Sequence, residues 1–433
     1  MAEGISEIES INWRRCFSFL EILRSFRMAI HPAKLVLCLL GLAASVGIAT
    51  VLDQLPGVGH TTLNGNTFWQ NFMGVVTGPI WGHWPTTVEG ISVDSMLGLC
   101  LSPLAAVGRL VGLTADYWHD APLFSIVNTV FSLAIWAVIG GAVTRMAAVR
   151  FAREESVPLK KALCFSLRKW PSLVTSPLIP FGILVLLAGA VGLFTGLPLM
   201  IPYAGEVLLG LFWWLAEIAF FMASLVFVAS LFSLGLQWPT IAAEGSDSFD
   251  AISRSVSYIS SRPWRYLFYT AFATVYGCAT FVFVKLIAYL TLAIGHFSVY
   301  TFTWNDELRH NKFERIWAYP SLNSPWPNVP EFLNPNGEMV RAEPFAQWLM
   351  AFWVWILLGL VVAFLISFFF TSQTVIYFLL RRTVDATDVE EVYLEESEEE
   401  GLPIEHKVEA PEPPPGELPA AKPSGEAPPA GKK

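Results

Sequence analysis

The chain has 433 residues, is 54% hydrophobic and only 15% charged, and carries 17 Trp and 32 Phe. A soluble domain is about 45–50% apolar and about 25% charged, so this composition excludes an ordinary soluble globule and points to lipid as the solvent. The net charge of −9 arises at the end of the chain: residues 386–433 hold 13 acids and 4 lysines, whereas residues 1–385 carry 23 charges of each sign. Neither part is the basic surface that a nucleic-acid partner requires.

In chain order, residues 1–33 read as a cytosolic amphipathic segment, with Phe17, Leu20 and Leu23 on one face and arginines between them. Because 33 residues precede the first apolar run, that run is expected to remain as an anchor and not to be a cleaved signal. A spanning helix needs about 20 apolar residues. Six stretches qualify: Lys34–Leu52, Leu123–Val149, Leu178–Leu199, Val207–Leu236, Tyr266–Ile294 and Phe345–Leu380. The apolar run Ile91–Leu113 is broken by Asp94, Pro103 and Arg109. It reads as an interfacial or re-entrant helix, because a seventh crossing would invert everything after it.

The expected architecture is therefore all-α. Six transmembrane helices form three hairpins, each preceded by a cytosolic amphipathic helix. The first hairpin covers 34–149 with a long outer loop at 53–122. The second unit covers 150–236, and the third covers 237–382 with an outer loop at 295–344. Those two loops, rich in Trp, Pro and Gly, are expected to be irregular and to form a small outer cap. Residues 383–433, with an acidic run from Asp388 to Glu400 and then Pro411–Pro415, carry too little apolar surface to order and read as a disordered cytosolic tail.

Cationic bias sets the expected orientation. With both termini in the cytosol of a bacterial inner membrane, 21 of the 27 lysines and arginines face inward. Arg109, Arg309, Lys312, Arg315 and Arg341 remain outside, and Lys285 lies within a span.

A cytosolic segment recurs along the chain in its residue pattern: Ala152-Arg153-Glu154-Glu155-Ser156 leads to Lys161–Leu167 and Trp170-Pro171. Some 90 residues later Ala242-Ala243-Glu244-Gly245-Ser246 leads to Asp250–Val256 and Arg262-Pro263-Trp264. The Ser-x-x-x-Asp-Ala-Ile pattern from Ser246 to Ile252, running through Arg262-Pro263-Trp264 into a span, resembles uncharacterised bacterial multi-span families. One of these is the membrane domain found beside glycerophosphodiester phosphodiesterases. Two runs are more distinctive: Ala243–Ser255, and Ile376–Arg382 with Asp385, Glu391, Val392 and Tyr393. Both resemble a narrower group of bacterial proteins of unknown function. The resemblance implies a fold and carries no chemistry, since the phosphodiesterase domain is not part of it.

No catalytic, cofactor-binding or metal-ligating set stands out, and no cofactor is expected. Cys16, Cys38, Cys100, Cys164 and Cys278 lack Cys-x-x-Cys spacing. His60, His83, His119, His296 and His310 fall on the outer side without His-x-x-x-His spacing. The candidate site is an intramembrane ion pair: Glu217 and Lys285 interrupt apolar spans at a cost of about 2.5–3.5 kcal/mol each when charged, at similar depths. The leading expectation is a non-enzymatic membrane protein that organises, regulates or partners other components. Its contacts would be the bilayer, and proteins met through the acidic tail and outer loops. One alternative is a transporter or permease subunit with a polar path at Glu217 and Lys285. Another is an enzyme acting on a lipid or lipid-linked substrate.

Overall fold

Long apolar runs with a proline near their start set the helices. Pro32, Pro122, Pro171 and Pro263 each occupy the first or second helical position, where a missing N–H costs least and the fixed φ suits the turn. The computed structural model describes residues 17–55, 66–81, 93–303, 313, 316–321, 323, 325 and 343–393. Their regular elements are all helical.

A 3-10 turn, Ser18–Leu23, precedes α1 (Arg24–Ala29) and α2 (Pro32–Gln54). Next come α3 (Phe68–Val75), prolonged by a π-helical turn at Val76–Trp81, then α4 (Val93–Asp120) and α5 (Pro122–Arg153). The short α6 (Leu159–Arg168) leads into α7 (Trp170–Gly196) and α8 (Ala204–Glu244). Short α9 (Ser248–Ser261) leads into α10 (Pro263–Phe302), and α11 spans Glu343–Val384.

Among the described residues, seven helices are long and apolar enough to cross a membrane, against the six expected. The additional one is Gly98–Asp120 within α4, overlapping the broken run Ile91–Leu113. Helices α8, α10 and α11 have 41, 40 and 42 residues. At 1.5 Å per residue each is about 60 Å long, twice the hydrocarbon thickness.

One end of the bundle is a shared apolar core. It joins Ile22 and Met28 to Ala148 and Phe151 near the end of α5, Ala243 at the end of α8, Tyr266 at the start of α10, and Tyr377 and Leu380 near the end of α11. Helix α7 starts at this end too: the Trp238 indole donates to the Leu173 carbonyl at 3.0 Å, and the Ser248 hydroxyl donates to that of Ser172 at 3.3 Å. Helices α2, α7 and α10 therefore lead away from this end, and α5, α8 and α11 lead back to it. At the far end, Ala49 and Leu52 of α2 meet Phe124 of α5.

The first outer loop, 53–122, holds α4 where a helix was expected at Ile91–Leu113, and holds α3 in a part expected to be irregular. Helix α3 begins at the far end, where the Asp53 carboxylate accepts the Phe68 N–H at 3.0 Å and Phe68 packs on Tyr117 and Phe124. Thr67 and Gln70 form a reciprocal capping box there. The other end runs into the bundle, where Val75, Val76, Ile80 and Trp81 are buried with Phe281, Ala288 and Leu358. Ala106 of α4 joins that core, and Tyr117 returns α4 to the far end. Most of the second loop, 295–344, lies outside the described residues, although α10 continues to Phe302, and Phe313 and Trp317 pack into the same core.

Helices α6 and α9 fold back on the helix before them, so their small-residue faces are covered by protein. Ala162 and Ser166 of α6, and Ala251 and Ser255 of α9, are fully buried. Close approach needs glycine on α5: a Cβ at Gly141 would sit 2.3 Å from Ser166 Oγ, and one at Gly140 would sit 2.3 Å from the Trp238 ring.

Candidate functional site

The structure does not bring Glu217 to Lys285. Glu217 lies exposed on α8 and accepts the Trp213 indole N–H at 2.9 Å, one turn away on its own helix. Lys285 of α10 is fully buried, donates from Nζ to the Trp81 carbonyl at 2.9 Å, and sits 5.3 Å from the centroid of the Trp81 ring. Trp81 ends the π-helical turn after α3, where helix carbonyls lack intrahelical donors and the helix dipole is negative. Lys285 thus caps a helix end inside the bundle, with a cation–π contact added. The ion pair expected from depth alone is replaced by this cap, because the two helices turn the residues to different sides.

The richest constellation lies at the end shared by both described termini of the chain. Its centre is Glu244, the last residue of α8. One carboxylate oxygen lies 2.6 Å from Arg254 Nη1 of α9, and the other lies 3.4 Å from Arg381 Nε of α11 and accepts from the Tyr377 hydroxyl. Arg254 also meets Asp250 one turn back at 2.9 Å. Its guanidinium is held even more firmly charged by that hydrogen bond, and then by Glu244. Tyr258 donates to Asp385 at 2.5 Å. Burial first, and then the Asp385 hydrogen bond, push the Tyr258 hydroxyl upward, so it remains protonated as the donor.

The segment after α11 is woven into this cluster. Arg145, buried on α5, donates to the Ala242 carbonyl and to the Tyr393 carbonyl, both at 2.7 Å, and lies 4.5 Å from the Phe165 ring centroid. The Tyr393 N–H donates to the Ala243 carbonyl at 2.9 Å, and Arg381 donates to the Glu391 carbonyl at 2.7 Å. The bonds to the Ala242 and Ala243 carbonyls satisfy acceptors in the last turn of α8 that the helix leaves open. Gly245 makes the contact possible. It ends α8 at φ +65, a left-handed conformation open to glycine, and a Cβ there would sit 2.8 Å from the Tyr393 ring. Residues 383–393 are therefore packed, which corrects the disordered tail expected from 383. Val392 is 8% exposed and belongs to the shared core. Residues 394–433, including the rest of the acidic run, lie outside the described residues.

The two distinctive sequence runs, Ala243–Ser255 and Ile376–Tyr393, meet in this cluster. Sequence reasoning placed neither in a site and gave Arg145 no role beyond its place among the inward-facing cations. It also missed Lys34, which is 1% exposed and points Nζ to Thr371 Oγ1 at 3.4 Å. Thr371, Ser372, Gln373 and Thr374 form a buried polar stretch of α11, a visible signal in an otherwise apolar span. Of the outer histidines, His119 is an exposed partner of Asp120 at 2.8 Å, and His296 meets the Trp317 carbonyl at 2.9 Å. His60, His83 and His310 lie outside the described residues. No protein-family model matches the chain, and no curated protein or solved structure gives a significant match.

Proposed function

We propose that this chain is a bacterial inner-membrane protein that acts through contacts with other membrane components and not through catalysis. It crosses the membrane six times as three outward-and-back hairpins, with both termini cytosolic and α3–α4 re-entering from the outer face. The alternation of α2, α5, α7, α8, α10 and α11 about one end supports that count. So do the start of α3 and the end of α4, which meet at the other end. The cationic residues clustered near the first end support its cytosolic placement. The matching ends of α5 and α8, each closed by a left-handed residue and followed by a short helix folded back on it, support an internal repeat. The distinctive runs keep the proposed kinship with uncharacterised bacterial multi-span proteins.

One observation carries the reading. The Glu244 cluster fixes the chain as far as Tyr393, directly before the acidic and proline-rich residues 394–433, so that segment leaves from a rigid root. The charged groups of the cluster engage one another or backbone carbonyls, which suits a clamp better than a path. Residues 394–433 are the docking segment in this reading. The test purifies the full chain and a version ending at Tyr393 in mild detergent and quantifies co-purifying membrane proteins. A stoichiometric partner lost only from the shortened version supports the proposal. An unchanged set, or no stoichiometric partner for the full chain, contradicts it.

A further inference from the structure

We propose that the α2–α4–α5–α11 junction is a binding site for a neutral, single-chain amphiphile entering from the bilayer. Two cavities adjoin there, of about 380 Å³ and about 520 Å³, each within the range of small-molecule sites. They share Leu42, Phe72, Leu110, Trp136 and Ile366 as walls, so one elongated ligand would lie across both. The larger is lined almost wholly by apolar groups, including Val76, Val107 and Phe369. Val107 is 52% exposed and Leu104 47% exposed, which places an opening on the lipid-facing side of α4.

The smaller cavity differs in one respect. Ser125 is 4% exposed, lines the space, and its hydroxyl has no hydrogen-bond partner. One turn further along α5, the Asn128 side-chain oxygen also lacks a partner and lines the same cavity. A buried polar group left without a partner is costly, and a ligand bearing hydroxyl groups satisfies both atoms. Among the described residues the cavity wall holds no charged side chain; Arg109 and Asp116 line a separate polar crevice. The head group is therefore uncharged, of the glycerol or sugar-alcohol type. From Phe124 to Trp136 the site extends about 18 Å along α5 at 1.5 Å per residue, and the larger cavity continues beyond it. A hydrocarbon chain lies along that axis with its hydroxyl head toward the far end of the bundle.

The probe is a monoacylglycerol with a diazirine in its acyl chain, mixed into phosphatidylcholine vesicles holding the full chain. After irradiation, adducts should concentrate on Val107, Leu110, Cys278 and Phe369. Excess unlabelled monoacylglycerol should cut them at least fivefold, while phosphatidylglycerol should not. Thr274→Trp, which fills the larger cavity, should abolish the adducts. Ser125→Ala with Asn128→Ala should weaken competition severalfold without changing elution on size exclusion. Labelling at equal density on the exposed faces of α7 and α8, without competition in the unaltered chain, would mean annular lipid only and overturn the site. Equal competition by phosphatidylglycerol would overturn the neutral head group.

Discussion

Depth in a membrane is legible from sequence; direction around a helix axis is much less so. Counted from the shared end, Glu217 and Lys285 lie within about 8 Å of the same height, which is why they read as a pair. Apolar residues surround both on every side in the sequence, so no periodic stripe tells which face of α8 or α10 turns inward. The structure turns Lys285 to the Trp81 carbonyl and leaves Glu217 with Trp213. The two share no partner, so their effects should add. In a double-mutant cycle on detergent thermostability, Lys285→Met should cost about 1.5–3 kcal/mol for the lost charged hydrogen bond. Glu217→Gln should cost far less, and the double change should equal the sum to within about 0.5 kcal/mol. A coupling above about 1 kcal/mol would restore the ion pair and the polar path with it.

At the scale of elements, the long apolar runs are what the sequence displays best, and each expected span coincides with a helix. The apolar stretch of α3 is too short to register as a span, since about 20 residues are needed, and so it reads as loop. Composition misleads again at 383–393, where four acids stand among five apolar residues at the head of the acidic run. Tertiary contacts decide that segment: Tyr393 and Val392 find the end of α8, and Arg145 binds the Tyr393 carbonyl from another helix. The local pattern of Ala243–Ser255 and Ile376–Tyr393 was distinctive without revealing that the two meet. In inverted vesicles, protease should therefore cut after Tyr393 and leave 385–393 intact. Arg145→Met removes two charged hydrogen bonds, about 3 kcal/mol at the lower end of their usual worth, and should move the first cuts into 385–393. Glu244→Gln should have a smaller effect, about 2 kcal/mol, because Arg254 is 43% exposed and solvent screens that pair. Unchanged cleavage in Arg145→Met would show that the clamp does not hold the segment.

For the whole molecule, the proposed arrangement is six crossings with a re-entrant α3–α4 unit and the Glu244 cluster on the cytosolic side. The docking role of residues 394–433 depends on it, since a tail on the other face would meet different partners. The alternative is the inverted orientation, with the shared end outside, which would place Lys160 and Asp120 on reversed sides of the membrane. Single cysteines at these two positions, in a chain freed of Cys16, Cys38, Cys100, Cys164 and Cys278, separate the two arrangements with an impermeant maleimide on intact cells. Both positions are exposed, so burial does not confound the reading. Asp120→Cys should be modified from outside, and Lys160→Cys only after the cells are opened. Modification of Lys160→Cys on intact cells, with Asp120→Cys protected, would contradict the account.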